Sequence, residues 1–138
     1  MSRHLSMLVW LRITRLRRKH ERAAAELLRS WDLSTAQLDT LSRLNTTEGI
    51  TQGELAERLL VTQGNMTQLL DKLETRGFIT RVPDGRTNAL FLTEQGRSLL
   101  AEVIPAHEQW HSHHTSGLTN EEQRQLLRLL RKLERTMR

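Results

Sequence analysis

Apolar residues recur at threes and fours from Leu5 to about Ser30, at Leu5, Leu8, Val9, Ile13, Leu16, Ala23, Ala24, Leu27 and Leu28. That is the period of an amphipathic helix, and one too long to need only one partner. Ser34-Thr-Ala-Gln37 is a capping box: the serine accepts from an early backbone N–H, the glutamine reaches back, and Leu38, Leu41 and Leu44 follow on one face of a second helix. Thr51-Gln-Gly-Glu54 repeats the device ahead of Leu55, Ala56 and Leu59, so a third helix begins close to Gln52. Thr62 then caps a fourth helix whose buried stripe is Met66, Leu69, Leu70 and Leu73, and Gly77 closes it at the C′ position.

Polarity changes period after Gly77. In VPDGRTNALFLTEQG, Val82 to Gly96, Pro-Asp-Gly is a turn signal and Asn88, Leu90, Phe91 and Leu92 continue as a strand. The segment reads as a short hairpin tipped by Asp84, Gly85 and Arg86. Thr93 opens a fifth helix through Leu99, Leu100, Val103 and Ile104, which Pro105 is expected to kink or divide. Thr119-Asn-Glu-Glu122 caps a last helix with Leu126, Leu127, Leu130, Leu133 and Met137. The expected fold is mainly α with one small β-hairpin: a helix-turn-helix followed by a wing over residues 33–97, flanked by terminal helices at 1–32 and 98–138.

On a helical wheel, the face opposite Met66, Leu69, Leu70 and Leu73 carries Gly64, Gln68, Asp71 and Thr75, flanked by Thr67 and Lys72. A helix entering the major groove must offer donors and acceptors to base edges; Gln63, Asn65, Thr67 and Gln68 cluster in its first two turns, and Gly64 lets backbone come close. Taken alone this is equally an ordinary solvated face. The hairpin shifts the balance, because an arginine at its tip fits the narrow, strongly negative minor groove.

Composition bounds the partners. The chain has 138 residues, enough for one domain, and Lys and Arg outnumber Asp and Glu by 21 to 16. Yet the presumed reading module is neutral between Ile50 and Arg97, where Arg58, Lys72, Arg76, Arg81, Arg86 and Arg97 face Glu54, Glu57, Asp71, Glu74, Asp84 and Glu94. The excess lies in the first helix and just beyond it, at Arg3, Arg12, Arg15, Arg17, Arg18, Lys19, Arg22 and Arg29. Those cations either touch phosphates or, the reading favoured, solvate the helix and pair across an oligomer interface. Asp71 would repel DNA unless Arg76 or Arg86 neutralises it. There is no cysteine, which excludes disulfides and thiol chemistry. No apolar run approaches the roughly 20 residues of a membrane span, and no secretory signal is evident, so a cytoplasmic protein is expected.

Together these residues resemble the multiple-antibiotic-resistance regulator (MarR) family of winged-helix transcription factors. The wing signature is Asp-x-Arg, three residues, an aliphatic, one residue and Leu-Thr, met by Asp84, Arg86, Leu90, Leu92 and Thr93. LAERLLVTQGNMTQLLDKLETRGFITR is similar to the family's helix pair. The resemblance implies a homodimer interlocked through first and last helices, with two winged modules on successive grooves of a pseudo-palindromic duplex. Its DNA contacts are expected from Thr62, Gln63, Gly64, Asn65, Thr67, Gln68, Lys72, Asp84 and Arg86. Gln68 and Thr87 stand where family members often carry further arginines. The family also implies a repressor released by a small lipophilic or phenolic anion, for which Trp10, Trp31 and Trp110 are candidate lining residues.

Other chemistries have thinner support. In HEQWHSHH, His107, His111 and His114 share a helical face and offer a candidate metal or pH site, although spacing without a further acidic or cysteine cluster is a weak pattern. Asp71 and Glu74 are paired carboxylates with no histidine, phosphate loop or nucleophile beside them, so no enzyme and no cofactor is expected. A winged helix used only for protein contact is the stronger rival.

Overall fold

The computed structural model describes residues 2–59 and 61–137. Its elements are α1 (Ser2–Leu28), a 3-10 turn (Arg29–Trp31), α2 (Thr35–Thr46), α3 (Gln52–Leu59), α4 (Gln63–Thr75), β1 (Ile79–Asp84), β2 (Thr87–Leu92), α5 (Glu94–His114) and α6 (Asn120–Glu134). Two compact units divide the chain, Met1–Val103 and Ile104–Arg138.

The expected capping boxes form at Ser34 with Gln37 and at Thr119 with Glu122, each with both reciprocal bonds. At α3 the Thr51 hydroxyl accepts from the Glu54 N–H at 3.2 Å. Helix α4 ends in a Schellman motif: Gly77, at φ +82°, donates to the Glu74 carbonyl, and Phe78 N–H reaches back to that of Leu73 at 3.0 Å.

The core of the first unit collects Leu28 from α1, Leu41 and Leu44 from α2, Leu55 from α3, Met66, Leu70 and Leu73 from α4, Ile79 and Leu90 from the hairpin, and Leu100 and Val103 from α5, all fully or almost fully buried. Leu69, placed by sequence on the same stripe, is only half-buried. A close approach fixes where α5 begins. The Thr93 hydroxyl donates to the Gly77 carbonyl at 2.5 Å and accepts from Gly96 N–H at 3.0 Å, and a Cβ on Gly96 would stand 2.2 Å from the Phe78 carbonyl oxygen. Only glycine lets the helix lie this near the strand.

Two expectations are corrected. Pro105 neither divides nor ends α5, which is helical from Glu94 to His114. Pro105 and Ala101, the residue whose carbonyl loses its donor, are both exposed, so water can meet that carbonyl. The hairpin is also longer than Val82 suggested, because β1 starts at Ile79.

Large apolar side chains remain uncovered at both ends of the chain. Leu5, Leu8, Val9, Trp10, Leu11 and Leu16 of α1 are exposed, as are Leu126, Leu127, Leu129 and Leu130 of α6. No helix among the described residues is long and apolar enough to cross a membrane.

Candidate nucleic-acid interface

Burial of Met66, Leu70 and Leu73 turns the opposite face of α4 outward. Gly64, Thr67, Gln68, Asp71, Lys72 and Thr75, the set expected from the wheel, are all exposed, as is Asn65 in the first turn. Thr62 sits at the N-cap, its hydroxyl accepting from Asn65 N–H at 3.1 Å. Gln63 opens the helix, and its side chain lies outside the described residues. Apart from its chain neighbours and its own helix backbone, nothing among the described residues comes within 4 Å of a Cβ added at Gly64, so the backbone there is open.

One member of this face is held from behind. Gln52 Nε2, at the start of α3, donates to Thr67 Oγ1 at 2.8 Å. Sequence reading took Gln52 only as a helix start, since nothing local links residues fifteen apart.

The wing is built by register. Ile79 pairs with Leu92 and Asp84 with Thr87, leaving Gly85 and Arg86 as a two-residue turn. Gly85 has φ +64° and Arg86 has no positive φ, the pattern of a type II′ turn, which favours glycine at its first central position. Asp84 and Thr87 flank the turn as a hydrogen-bonded pair, so the next pair, Pro83 with Asn88, is non-hydrogen-bonded, and the missing proline N–H costs the ladder nothing. On its other edge β2 is secured to the loop before α3, where Leu90 N–H donates to the Ile50 carbonyl at 2.9 Å and Gly49 N–H to that of Leu90 at 2.8 Å. Asp84 and Arg86 are thereby presented, exposed, at the tip.

The neutralisation of Asp71 differs from expectation. Arg81 of β1 supplies it, with Nη2 at 2.6 Å from Asp71 Oδ1 and 2.9 Å from Glu74 Oε1, and Nε at 3.4 Å from Glu74 Oε2. The hydrogen bond from Arg81 holds the Glu74 carboxyl below its ordinary pKa, and the same bond holds the Arg81 guanidinium further above its own. Arg76 instead turns away, donating to the carbonyls of Trp31 at 3.0 Å and Asp32 at 2.5 Å while stacking over Phe78. Asp32 has φ +51°, which aims these carbonyls off the end of the 3-10 turn. The Trp31–Arg76 contact therefore joins the end of α1 to the end of α4, beside an open cleft of about 620 Å³ that also involves Ser34, Gln37, Asp71 and Lys72.

The other candidates are dispersed. Trp10 and Leu28 stand about 27 Å apart along α1 at 1.5 Å per residue, so Trp10 and Trp31 cannot line one pocket within a chain. Trp110 lies parallel to His107 at 6.1 Å, meets His111 edge-on at 4.9 Å and is tilted against His114 at 4.3 Å between ring centroids. His111 Nδ1 faces the His107 carbonyl at 3.0 Å and His114 Nδ1 that of Trp110 at 2.9 Å. Among the described residues, no group of three or more His, Asp or Glu is placed to hold a metal ion.

A polar helix face, backed by a second helix and extended by an anchored hairpin with an arginine at its tip, defines a winged helix-turn-helix protein. The chain belongs to the MarR family. The family's sequence profile matches residues 31–87. A Bacillus cereus relative named an uncharacterized HTH-type transcriptional regulator is 37% identical over 123 residues, covering 89% of this chain and 84% of its own. Among solved structures, the Staphylococcus aureus MepR–DNA complex superposes with a TM-score of 0.83 at 25% identity, covering 91% of this chain and 95% of that one. A mutant MarR from E. coli complexed with operator DNA gives 0.81 at 29% identity, covering 88% and 89%. The protein is thus a transcriptional regulator of a family that is not an enzyme family.

Proposed function

We propose that the chain acts as a homodimeric repressor that binds a pseudo-palindromic double-stranded DNA operator and excludes transcription sterically. The observation that carries this reading is the exposed row Asn65, Thr67, Gln68 and Lys72 on a helix whose other face is fully packed, with Arg86 held out on a pinned hairpin. Amides and hydroxyls supply the donor and acceptor pairs that base edges discriminate, while Lys72 and Arg86 supply phosphate or minor-groove contacts. MepR and MarR, of the same fold, are solved in complex with DNA, which supports the partner class. The dimer is supported by the apolar faces of α1 and α6, since contiguous exposed apolar surface of this kind marks an interface. Residues 1–32 and 98–138 serve as the dimerisation helices and 33–97 as the reading module. The effector of this reading is a small lipophilic or phenolic anion, and Trp31 is the best-connected candidate, because its carbonyl is tied to α4 through Arg76. The site of action is the cytoplasm.

Selection of bound sequences from a random duplex pool, using the intact dimer, tests this reading. Enrichment of a two-fold-symmetric sequence with half-sites about 10 base pairs apart, or a multiple, is expected. A folded dimer that enriches no sequence contradicts it.

A further inference from the structure

A two-stranded ribbon is weak support for a reading arginine, since such hairpins are marginal in water unless something else holds them. Along β1, Ile79 is buried, Thr80 exposed and Arg81 half-covered, and every residue from Val82 to Arg86 is exposed. Arg81 is therefore the last covered residue of β1 before the tip. Its side chain is 18% accessible, whereas Asp71 and Glu74 are 56% and 42% accessible. Isolated surface ion pairs contribute little, but here one guanidinium takes both oxygens of Glu74 and one of Asp71, a fork that lysine cannot reproduce. Asp84 lies three residues further on, about 10 Å along the strand, with Arg86 just past it in the turn, so a tilt of about 10° at Arg81 displaces the tip by about 2 Å, enough to break a hydrogen bond.

We propose that Arg81 is a positioning residue for DNA recognition: by clasping Asp71 and Glu74 it sets the angle between wing and recognition helix at which Arg86 and the α4 face meet one duplex. The role rests on the DNA-binding reading above and deepens it. Arg81 contacts no base in this scheme; it acts through Arg86. The same clasp neutralises the carboxylates that α4 turns toward phosphates.

A double-mutant cycle on the intact dimer, read by fluorescence anisotropy with a duplex selected by the parent, separates positioning from general weakening. Arg81→Gln and Arg86→Ala are each expected to weaken binding about tenfold, and the double variant also about tenfold rather than a hundredfold, because a misplaced tip has nothing left to lose. Arg81→Lys, which reaches one carboxylate at a time, is expected to fall between the parent and Arg81→Gln. Loss of global stability in Arg81→Gln alone would leave the two substitutions additive, so a hundredfold loss in the double variant overturns the role, as does parental affinity in Arg81→Gln. If the parent selects no duplex, the DNA reading falls and this role with it; additivity on a parent that binds removes only the role of Arg81.

Discussion

Helix α1 and the winged module divide the work of charge and of position very differently. Within α1, seven Lys and Arg face two Asp and Glu, an excess equal to the +5 of the whole chain, so the rest of the molecule is balanced. Of the ion pairs described, α1 contributes Arg17 with Glu21, an exposed i,i+4 contact of small worth. In the module the charges are balanced and placed: Arg81 clasps Asp71 and Glu74, and Arg97 pairs with Glu48 at 2.6 Å, while the neutral Gln52 holds Thr67. On the proposed reading, net charge points away from the surface that meets DNA. A surface that must discriminate sequences needs side chains fixed to within a fraction of an ångström more than it needs excess charge.

The largest effect distinguishing the two regions is on stability. Leu70→Ala, at a fully buried site between the α4 face and the core, is expected to cost about 2–5 kcal/mol in chemical denaturation, whereas Leu8→Ala on exposed α1 should leave the isolated subunit's core intact and weaken association instead. Gly96→Ala follows at about 1–3 kcal/mol, since the new methyl must push Phe78 and α5 apart. Equal denaturation midpoints for Gly96→Ala and the parent would show that the strand end yields more easily than its geometry indicates.

Next in size is specificity. Gln68→Ala is expected to relax discrimination by about 1–3 kcal/mol at one base position, measured on a panel of single-substitution duplexes, without altering the others. A pH effect is smaller. Glu74 has its pKa lowered in the fold, so its contribution to stability is present above the ordinary glutamate value of about 4.3 and is lost as pH falls through the lowered one. Melting temperatures of parent and Glu74→Gln should therefore converge as pH falls from about 4.3 through the lowered value; a gap that stays constant from neutral pH downward would deny the clasp any electrostatic content. Least of all is expected from Arg15→Gln and Arg18→Gln together, which should leave the salt dependence of DNA binding unchanged if α1 only solvates itself and its partner helices. A slope reduced by about 0.9 per residue would place α1 on phosphates and remove the contrast between the regions.

Much of the fold was legible because its determinants are local. Ser34, Thr62 and Thr119 cap helices through side chains that bond three residues away, Gly77 ends α4 as a left-handed residue must, and the spacing of Met66, Leu70 and Leu73 fixes which face of α4 is outward. The contact face of the candidate site followed from that periodicity. What orients it did not: Arg81 reaches back ten residues to Asp71, Arg76 forty-five to Trp31, and Gln52 forward fifteen to Thr67. Assigning Asp71 to Arg76 or Arg86 relied on proximity in sequence or on exposure, whereas the strand register decides that Arg81 faces α4. Pro105 misled for a related reason, since its penalty depends on whether the carbonyl it orphans is wet, and residue identity alone does not carry that.

On the proposed reading the neutral winged module, not the basic helix, reads DNA. The most direct measurement is one salt titration of a selected duplex with the parent, Arg86→Ala and the Arg15→Gln/Arg18→Gln variant. Arg86→Ala is expected to weaken binding to every duplex and to lower the slope by about 0.9, while the α1 variant follows the parent. Parental affinity and slope in Arg86→Ala, with the loss appearing in the α1 variant instead, would contradict it.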